Sequence, residues 1–203
     1  IDQTKSCACP TLHQLLTHTS GMSYPFNPDV LAAAMNEVDL LFKPNQGSLS
    51  DMCRDLAKFP LAFKPGSRWE YSVGIDVIGR VIEIITGQTL ADVFAQRVFR
   101  PLGMTQTAFS VPNDALDKFA ALYTPLAGDA MDLNGAKTGT DSLRCVDRTE
   151  KSPFLDASMY SGGGGLVGTI DDYMKFCEML RQGGTLNGER LLSSSNNAFM
   201  MRN

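Results

Sequence analysis

The sequence predicts a helix-rich α+β protein with few strands. Several segments carry apolar residues at helical spacing behind a Ser, Thr or Asn residue that can cap a helix. Residues 112–153 are instead dominated by Gly, Asp, Asn and Thr and show no helical period, which predicts a loop with one or two short strands. Helices of this kind normally pack on a β-sheet. The sequence contains few strand patterns, so most of the expected sheet is missing from it. At 43% hydrophobic and 20% charged, the 203 residues have an ordinary composition for one large or two small globular domains.

The first helix signals lie in the N-terminal quarter of the chain. Thr11 and Gln14 have the spacing of a capping box, in which two side chains satisfy the free N–H groups of a helix start. The buried face of this helix is predicted to consist of Leu12, Leu15 and Leu16. Two further helix starts are predicted, at Asn27-Pro28 and at Ser48.

Residues 63–87 contain the most distinctive helix signal. A Lys-Pro-Gly turn leads into Trp69 and Tyr71, which lie just ahead of an amphipathic helix that Gly87 ends. A tyrosine held at the entrance of a rigid helix is well placed to transfer a proton. The alternative is a Tyr71 whose ring packs in the core. The apolar face of the helix is predicted to contain Ile75, Ile78, Val81 or Ile82, and Ile85.

The second half of the chain contains two helix signals on either side of one predicted strand. A helix is predicted from Thr89 to Gly103, and residues 105–111 are predicted to form a short strand. Residues 161–169 include four consecutive glycines, which allow two backbone segments to approach very closely. Thr169 is predicted to cap the next helix. The apolar face of that helix is predicted to contain Tyr173, Phe176, Cys177 and Leu180.

Charge and cysteine content narrow the range of partners and compartments. A net charge of -4 and a pI of about 5.1 argue against a nucleic acid or an anionic membrane as partner. No apolar run approaches the roughly 18 residues that a membrane span needs. The five cysteines are odd in number and irregularly spaced, which favours a reducing compartment such as the cytoplasm over a disulfide framework. A periplasmic location stays open.

The sequence predicts no cofactor and no metal. A zinc site made of Cys7, Cys9, His13 and His18 is disfavoured, because the two histidines are five residues apart and would point to different faces of a helix. Buried thiols and ordinary polar histidines are the simpler interpretation. The glycine run has no Lys-Ser or Lys-Thr pair after it and no surrounding βαβ unit, so nucleotide binding is not predicted.

No residue of the chain stands out as an activated nucleophile. A Ser-x-x-Lys pair places a hydroxyl and an amine one helical turn apart, so that the amine can take the hydroxyl proton. No serine of this chain is followed three positions later by a lysine. A G-x-S-x-G elbow is also missing from the sequence.

Five stretches that extend over nearly the whole chain carry a combined pattern. They are Thr11-Leu-His-Gln-Leu-Leu-Thr-His-Thr-Ser-Gly-Met22, Phe63-Lys-Pro-Gly-Ser-Arg-Trp-Glu-Tyr-Ser72, Asp76-Val-Ile-Gly-Arg-Val-Ile-Glu83 with Thr86-Gly87, Val98-Phe-Arg-Pro-Leu-Gly-Met-Thr105, and Ser161-Gly-Gly-Gly-Gly-Leu-Val-Gly-Thr-Ile-Asp-Asp-Tyr173 followed by Gly183-Gly184. In this order they resemble the serine β-lactamase and penicillin-binding-protein superfamily, and most of all its class C-like branch of carboxylesterases and acyltransferases.

The resemblance implies a division of the chain. It is expected to contain the helical domain and part of the α/β domain of a β-lactamase/transpeptidase-like fold. Residues 1–22 are expected to belong to the α/β domain, residues 23–158 to form a mainly helical domain that carries Tyr71, and residues 159–203 to return to the α/β domain.

The resemblance also implies a mechanism. In that superfamily the serine of a Ser-x-x-Lys pair attacks an ester or lactam carbonyl, a lysine and a tyrosine share the proton transfer, and backbone N–H groups hold the oxyanion. Tyr71 matches the tyrosine, and it is the one catalytic residue carried over. The Ser-x-x-Lys helix is expected upstream of Ile1 and the closing strand beyond Asn203, so this chain is expected to be the central part of the enzyme and inactive alone. Lys137-Thr138-Gly139 resembles the motif of that strand but precedes the glycine run, and this wrong order makes it a coincidence.

One departure from the superfamily pattern bears on the substrate. The Tyr-x-Asn of the superfamily reads Tyr71-Ser72-Val73 here, so the amide that would contact a lactam is missing. The expected function is therefore a serine hydrolase that acts on small-molecule esters, by hydrolysis or by acyl transfer. The alternatives are a true β-lactamase or D-Ala-D-Ala peptidase, a non-catalytic binding or scaffold protein of the same fold, and a free-standing helical interaction domain. The expected partners are an ester or lactam substrate and the remaining α/β-domain segments of the same protein.

Overall fold

A computed structural model describes residues 8–38, 40, 43–125 and 143–202. Helices dominate this part of the chain, which confirms the helix-rich α+β prediction. The α-helices are α1 (Leu12–Leu16), α2 (Val30–Glu37), α3 (Leu49–Leu56), α4 (Gly74–Thr86), α5 (Leu90–Phe94), α6 (Arg100–Leu102), α7 (Ile170–Arg181) and α8 (Ser194–Met200). A π-helical turn, Ala95–Phe99, joins α5 to α6. The strands are β1 (Leu122–Pro125), β2 (Leu143–Asp147), β3 (Thr185–Leu186) and β4 (Glu189–Arg190).

Side-chain caps explain where most helices begin. The Thr11 hydroxyl accepts a hydrogen bond from the Gln14 N–H at 3.2 Å, and the Gln14 side chain accepts one from the Thr11 N–H at 2.9 Å. This is the predicted capping box, and it satisfies two N–H groups that α1 leaves free. At four other helix starts, the side chain of the capping residue likewise accepts a hydrogen bond from the backbone N–H three residues later. These caps are Ser48, Thr89, Thr169 and Ser193.

The predicted start of the second helix at Asn27-Pro28 is wrong by two residues. Helix α2 begins at Val30, because the Asp29 carboxylate accepts a hydrogen bond from the Ala32 N–H at 2.7 Å and acts as the cap. Asn27 lies in the preceding loop, where its side-chain amide donates to the Tyr71 carbonyl oxygen at 2.8 Å. Asn27, which was predicted to start a helix, therefore fixes the backbone of Tyr71 through this hydrogen bond.

The predicted buried face of α1 is too wide. Leu15 is buried as predicted, whereas Leu12 and Leu16 are each more than half exposed. Helix α1 contacts α4 along one narrow line, at which the Leu15 carbonyl oxygen packs against Gly74. With no side chain at Gly74, the two helix backbones approach closely, and the neighbouring leucines are left outside the contact.

The predicted faces of α4 and α7 also need correction. Ile85 was expected to face the core and is 76% exposed, whereas Gly74, Asp76 and Gly79 form the buried line of α4. Tyr173 on α7 was likewise expected inside and is mostly exposed. Small and hydrogen-bonded residues, rather than the isoleucines, make the closest contacts of α4. A count of apolar residues at helical spacing does not detect such a face.

The contact between α1 and α4 predicts a difference between two glycine substitutions. A Cβ atom on Gly74 would lie 2.7 Å from the Leu15 carbonyl oxygen, and one on Gly79 would lie 3.0 Å from the end of the flexible Leu90 side chain. We expect Gly74→Ala to destabilise the chain by about 2 kcal/mol, because rigid backbone must move. Gly79→Ala is expected to change stability by less than about 1 kcal/mol, since the helix propensity of Ala offsets the smaller clash. Urea denaturation of both variants measures the difference, and equal losses would contradict the close backbone approach.

The segments that surround Tyr71 are joined by backbone hydrogen bonds. Residues 17–24 run beside residues 61–73, and Gly21, with φ of 88°, makes the approach possible. A Cβ atom on Gly21 would lie 2.3 Å from the Phe63 carbonyl oxygen. The bonds that join the two segments are Ala62 N–H to Gly21 O at 2.7 Å, Gly66 N–H to Thr19 O at 2.8 Å, and Glu70 N–H to His18 O at 2.9 Å.

The strands that the structure describes are few and lie partly in unexpected places. The strand predicted over residues 105–111 is wrong, since only an isolated antiparallel bridge between Ala108 and Val167 forms there. The one or two short strands predicted within residues 112–153 are present, since β1 and β2 lie there and pair with each other. Strand β3 pairs with β4. Lys137-Thr138-Gly139 lies outside the described residues. The proposed division at residues 22 and 158 stays a prediction.

Candidate active site

Tyr71 lies in the loop that enters α4, and its backbone is fixed on both sides. The Tyr71 carbonyl oxygen accepts a hydrogen bond from Asn27, and the preceding Glu70 N–H donates to the His18 carbonyl oxygen at 2.9 Å. The following Ser72 N–H donates to Nδ1 of the His18 ring at 3.2 Å, and Ser72 itself is fully buried. The Tyr71 side chain is therefore presented from a loop with little freedom to move.

The Tyr71 ring packs against three other rings, yet the residue is only partly buried. Its centroid lies 4.7 Å from the ring centroid of His18, 5.1 Å from that of Tyr24 and 6.3 Å from that of Phe26. The residue is 44% exposed. Among the described residues, the Tyr71 hydroxyl has no hydrogen-bond partner. Tyr71 is thus not a tyrosine of the core, and its catalytic role stays a prediction.

A buried carboxylate joins the neighbourhood of Tyr71 to the glycine run. Asp76, in the first turn of α4, is 5% exposed. It accepts hydrogen bonds from the Tyr24 hydroxyl at 3.2 Å, from the Gly163 N–H at 3.2 Å, and from the Ser161 hydroxyl in a very short bond. Three donors satisfy much of the hydrogen-bonding capacity of a buried carboxylate, and they hold three separate segments together.

Tyr24 and Tyr71 are neighbouring phenols with different environments. Burial, followed by the negative charge of Asp76, raises the pKa of Tyr24 far above its usual value. Tyr24 therefore keeps its proton and donates it in the hydrogen bond to Asp76. A proton-transfer residue must be able to lose its proton near the working pH. Of the two phenols, Tyr71 is the more exposed, and its hydroxyl has no hydrogen-bond partner among the described residues.

The glycine run allows a tight crossing over the first turn of α4. A Cβ atom on Gly162 would lie 2.6 Å from the Ile75 carbonyl oxygen, and one on Gly163 would lie 2.9 Å from both Asp76 and the Tyr24 hydroxyl. The N–H groups of Gly163 and Gly164 are already bonded, to Asp76 and to the Ser161 hydroxyl. These two amides hold protein groups, so the run is built for close packing here.

The described residues offer neither a metal site nor a membrane span. In the parts of the chain that the structure describes, no three His, Cys, Asp or Glu side chains are placed to hold a metal ion. Cys7, one of the four residues weighed for zinc, lies outside those parts. None of the described helices is both long and apolar enough to cross a membrane.

A comparison with protein families now identifies the fold. The family model described as "Beta-lactamase" matches residues 6–202, which is nearly the entire sequence. The chain belongs to the β-lactamase family. The resemblance seen in the sequence and the β-lactamase/transpeptidase-like fold are both confirmed by this match and by the solved structures that share the fold.

Several members of the β-lactamase family that resemble this chain are esterases. Esterase EstB of Burkholderia gladioli is 34% identical over 179 residues, which is 84% of this chain and 44% of the esterase. Lovastatin esterase of Penicillium rubens is 36% identical over 170 residues, which is 84% of this chain and 39% of that enzyme. The structure of EstCE1, a hydrolase with promiscuous acyltransferase activity, matches with a TM-score of 0.70 at 25% identity and covers 94% of this chain and 50% of its own. The chain thus spans about half the length of its relatives.

Val73 has a structural role in this β-lactamase-family chain. It is 1% exposed and packs in a cluster with Leu31, Met35 and Leu56. The position two residues after Tyr71 therefore belongs to the core, and its side chain has no access to a substrate. An amide at this position would have to be buried among apolar side chains, which is costly without a hydrogen-bond partner.

The sequence analysis missed most of the residues that surround Tyr71. Asp76 and Tyr24 were not predicted as site residues, Asn27 was predicted only to start a helix, and His18 was weighed only as a zinc ligand. One signal was present in the sequence: a carboxylate in the first turn of an amphipathic helix, between Gly74 and Gly79, is a candidate for a buried and hydrogen-bonded position. The contact between residues 18 and 72 could not be found, because it depends on a pairing of loops.

Proposed function

We propose that this chain is the central part of a serine hydrolase that acts on small-molecule esters, by hydrolysis or acyl transfer through an acyl-enzyme. The observation that carries the proposal is the placement of Tyr71: a fixed backbone, a partly exposed side chain whose hydroxyl has no partner among the described residues, and a position beside the Asp76 network that holds the glycine run. Family membership and the esterases among the relatives support the reaction class.

In the proposed reaction, a serine hydroxyl attacks the carbonyl carbon of the ester. Its proton passes to the Tyr71–lysine pair as the new C–O bond forms. The bond to the alcohol then breaks, and the alcohol leaves with that proton. Water, or a second alcohol in acyl transfer, repeats the sequence on the acyl-enzyme. A lysine ammonium beside a phenol favours its ionised form, which is why the two groups work as a pair.

The serine and lysine of the proposed reaction come from a Ser-x-x-Lys helix outside these 203 residues. Two observations support this: the chain contains no Ser-x-x-Lys pair, and it spans about half the length of its relatives. Apolar side chains that are more than half exposed give further support, because additional chain is needed to cover them. They include Leu12, Leu16, Ile84, Ile85, Ile170, Met174 and Phe199.

Esters are favoured over lactams as the substrate. The superfamily residue expected to contact a lactam is replaced by Val73, which is buried in the core. With no amide presented next to Tyr71, a lactam loses a polar contact that an ester does not require. Turnover of p-nitrophenyl butyrate compared with a chromogenic cephalosporin measures this preference.

A fluorophosphonate probe tests the proposal, because it labels only an activated serine. We expect the 203-residue chain to stay unlabelled and inactive on p-nitrophenyl butyrate. The longer protein that contains it is expected to be labelled stoichiometrically at the serine of its Ser-x-x-Lys pair. Stoichiometric labelling of a serine within residues 1–203 would overturn the proposal. A longer protein without Ser-x-x-Lys and without labelling would support the non-catalytic binding alternative.

A further inference from the structure

His18 has an unusual backbone conformation next to Tyr71. Its φ of 54° lies in the left-handed region, which few residues with a Cβ atom adopt. Such strain persists where surrounding contacts hold it, and it is concentrated at functional sites. Here the His18 carbonyl oxygen accepts a hydrogen bond from the Glu70 N–H at 2.9 Å. The strained turn after α1 is thus bonded directly to the residue that precedes Tyr71.

The hydrogen bond to the His18 ring defines its protonation. The Ser72 N–H lies 3.2 Å from Nδ1, and a backbone N–H can only donate. Nδ1 must therefore carry the lone pair, which places the proton of the neutral ring on Nε2. The Ser72 hydroxyl lies 3.4 Å from the same nitrogen. Because Ser72 is fully buried, its N–H needs this acceptor.

The same ring also supports the Tyr71 side chain. The His18 and Tyr71 ring centroids are 4.7 Å apart, with the planes tilted by 49°. On its other side, the His18 ring meets Trp69 edge-on at 6.1 Å. One side chain thus contacts the residues on both sides of Glu70 and bonds to the residue that follows Tyr71.

We propose that His18, as a neutral imidazole, is the positioning residue of Tyr71. Its Nδ1 fixes the backbone after Tyr71 and its carbonyl oxygen fixes the backbone before it, while the ring packs beside the phenol. This inference rests on the proposed function, in which Tyr71 transfers the proton. A displacement of a reacting group by about 1 Å can lower a rate by about 100-fold, so a positioning residue has a measurable effect.

Two substitutions separate the acceptor for the Ser72 N–H from the backbone conformation of residue 18. His18→Gly keeps the left-handed backbone without strain and removes the acceptor and the ring. His18→Asn also tolerates this backbone, and its side-chain oxygen can accept the Ser72 N–H. A purely structural role predicts that both variants leave Tyr71 in place. Positioning predicts that His18→Gly displaces Tyr71 and that His18→Asn largely restores it.

The first measurement uses the 203-residue chain and does not depend on catalysis. Nitrogen-15 NMR of the histidine rings is expected to show the proton of the His18 ring on Nε2, with Nδ1 as the acceptor of the Ser72 N–H. Nuclear Overhauser contacts between the Tyr71 and Tyr24 rings are expected in the unmodified chain and in His18→Asn, and to be lost in His18→Gly. A proton on Nδ1, or equal contacts in all three proteins, would overturn the proposal.

The second measurement uses the longer protein that carries the proposed Ser-x-x-Lys pair. For p-nitrophenyl butyrate, His18→Gly is expected to lower kcat by 10- to 100-fold with KM changed less than about threefold, and His18→Asn to recover most of kcat. A loss confined to KM, or an equal loss in both variants, would overturn positioning. If the unmodified longer protein has no esterase activity, the proposed function fails, and the ring contacts in the shorter chain still decide whether His18 positions Tyr71.

Discussion

Replacing Tyr71 with phenylalanine is expected to lower kcat/KM for p-nitrophenyl butyrate by about 10²–10⁴-fold in the longer protein. This is the range that loss of a positioned acid–base group produces. The folded state is expected to be almost unaffected, because the Tyr71 hydroxyl has no hydrogen-bond partner among the described residues and the ring contacts remain. Steady-state kinetics, with the melting temperature measured on the same samples, checks both parts of the expectation.

Tyr173→Phe is the matched control for Tyr71→Phe. It removes the same hydroxyl from another exposed tyrosine, on α7, away from His18 and Tyr24. We expect its kcat/KM to stay within about twofold of the unmodified protein. If Tyr71→Phe retains more than a tenth of the activity, Tyr71 is not the proton-transfer residue. An equal loss in both variants would point to a general effect of phenol removal rather than to catalysis at Tyr71.

Replacing Asp172 with asparagine is expected to destabilise the chain by about 3 kcal/mol at pH 7. The Asp172 carboxylate is 3% exposed and accepts hydrogen bonds from the Gln106 N–H at 2.7 Å, from the Thr107 hydroxyl at 3.0 Å and from Lys175 at 2.7 Å. Bonds to a buried charge are among the stronger ones in proteins, and the amide group of Asn would turn a donor toward other donors. Urea denaturation followed by circular dichroism gives the free energy of unfolding.

The free energy of unfolding lost in Asp172→Asn is expected to become smaller at low pH. Burial raises the pKa of Asp172, but the hydrogen bonds from Lys175, Gln106 and Thr107 outweigh it and hold the pKa below the usual value for aspartate. A group with a lowered pKa in the folded state contributes stability above its unfolded pKa, near 3.9, and loses that contribution as pH falls through the folded pKa. The difference between the two proteins should be constant from pH 5 to 8 and shrink below about pH 4.

Asp171→Asn provides the control for Asp172→Asn. Asp171 lies in the same first turn of α7, and its replacement removes the same charge from an exposed position. The interaction of such a carboxylate with the helix dipole is worth less than about 1 kcal/mol. A similar loss for Asp171→Asn and Asp172→Asn, or a loss that grows below pH 4, would contradict the role assigned to the buried hydrogen bonds.

Local rules were enough to predict the helices but not the contacts between them. The caps at Thr11, Ser48 and Thr169 depend on residues three positions apart, and the sequence shows these directly. The buried line of α4 depends on what packs against it. The Leu15 carbonyl and the glycine run come from distant parts of the chain, so hydrophobic spacing misplaced Ile85.

The site could be predicted in part, because one of its residues carries a family pattern. Tyr71 was found through the resemblance and from its place before a helix, although its role stays a prediction. Its support depends on pairs such as His18 with Ser72 and Asp76 with Ser161, which are 54 and 85 residues apart. Contacts over such separations arise from loop geometry, which no local propensity encodes.

Trp69 is the single tryptophan of the chain, and it lies on the surface edge-on to His18. Its fluorescence therefore reports on the surroundings of Tyr71 and not on the interior of the protein. In the native state its emission should already resemble that of an indole in water, so global unfolding will shift the spectrum little. We expect a ligand that binds beside Tyr71 to change this emission, which gives a binding assay without any added label.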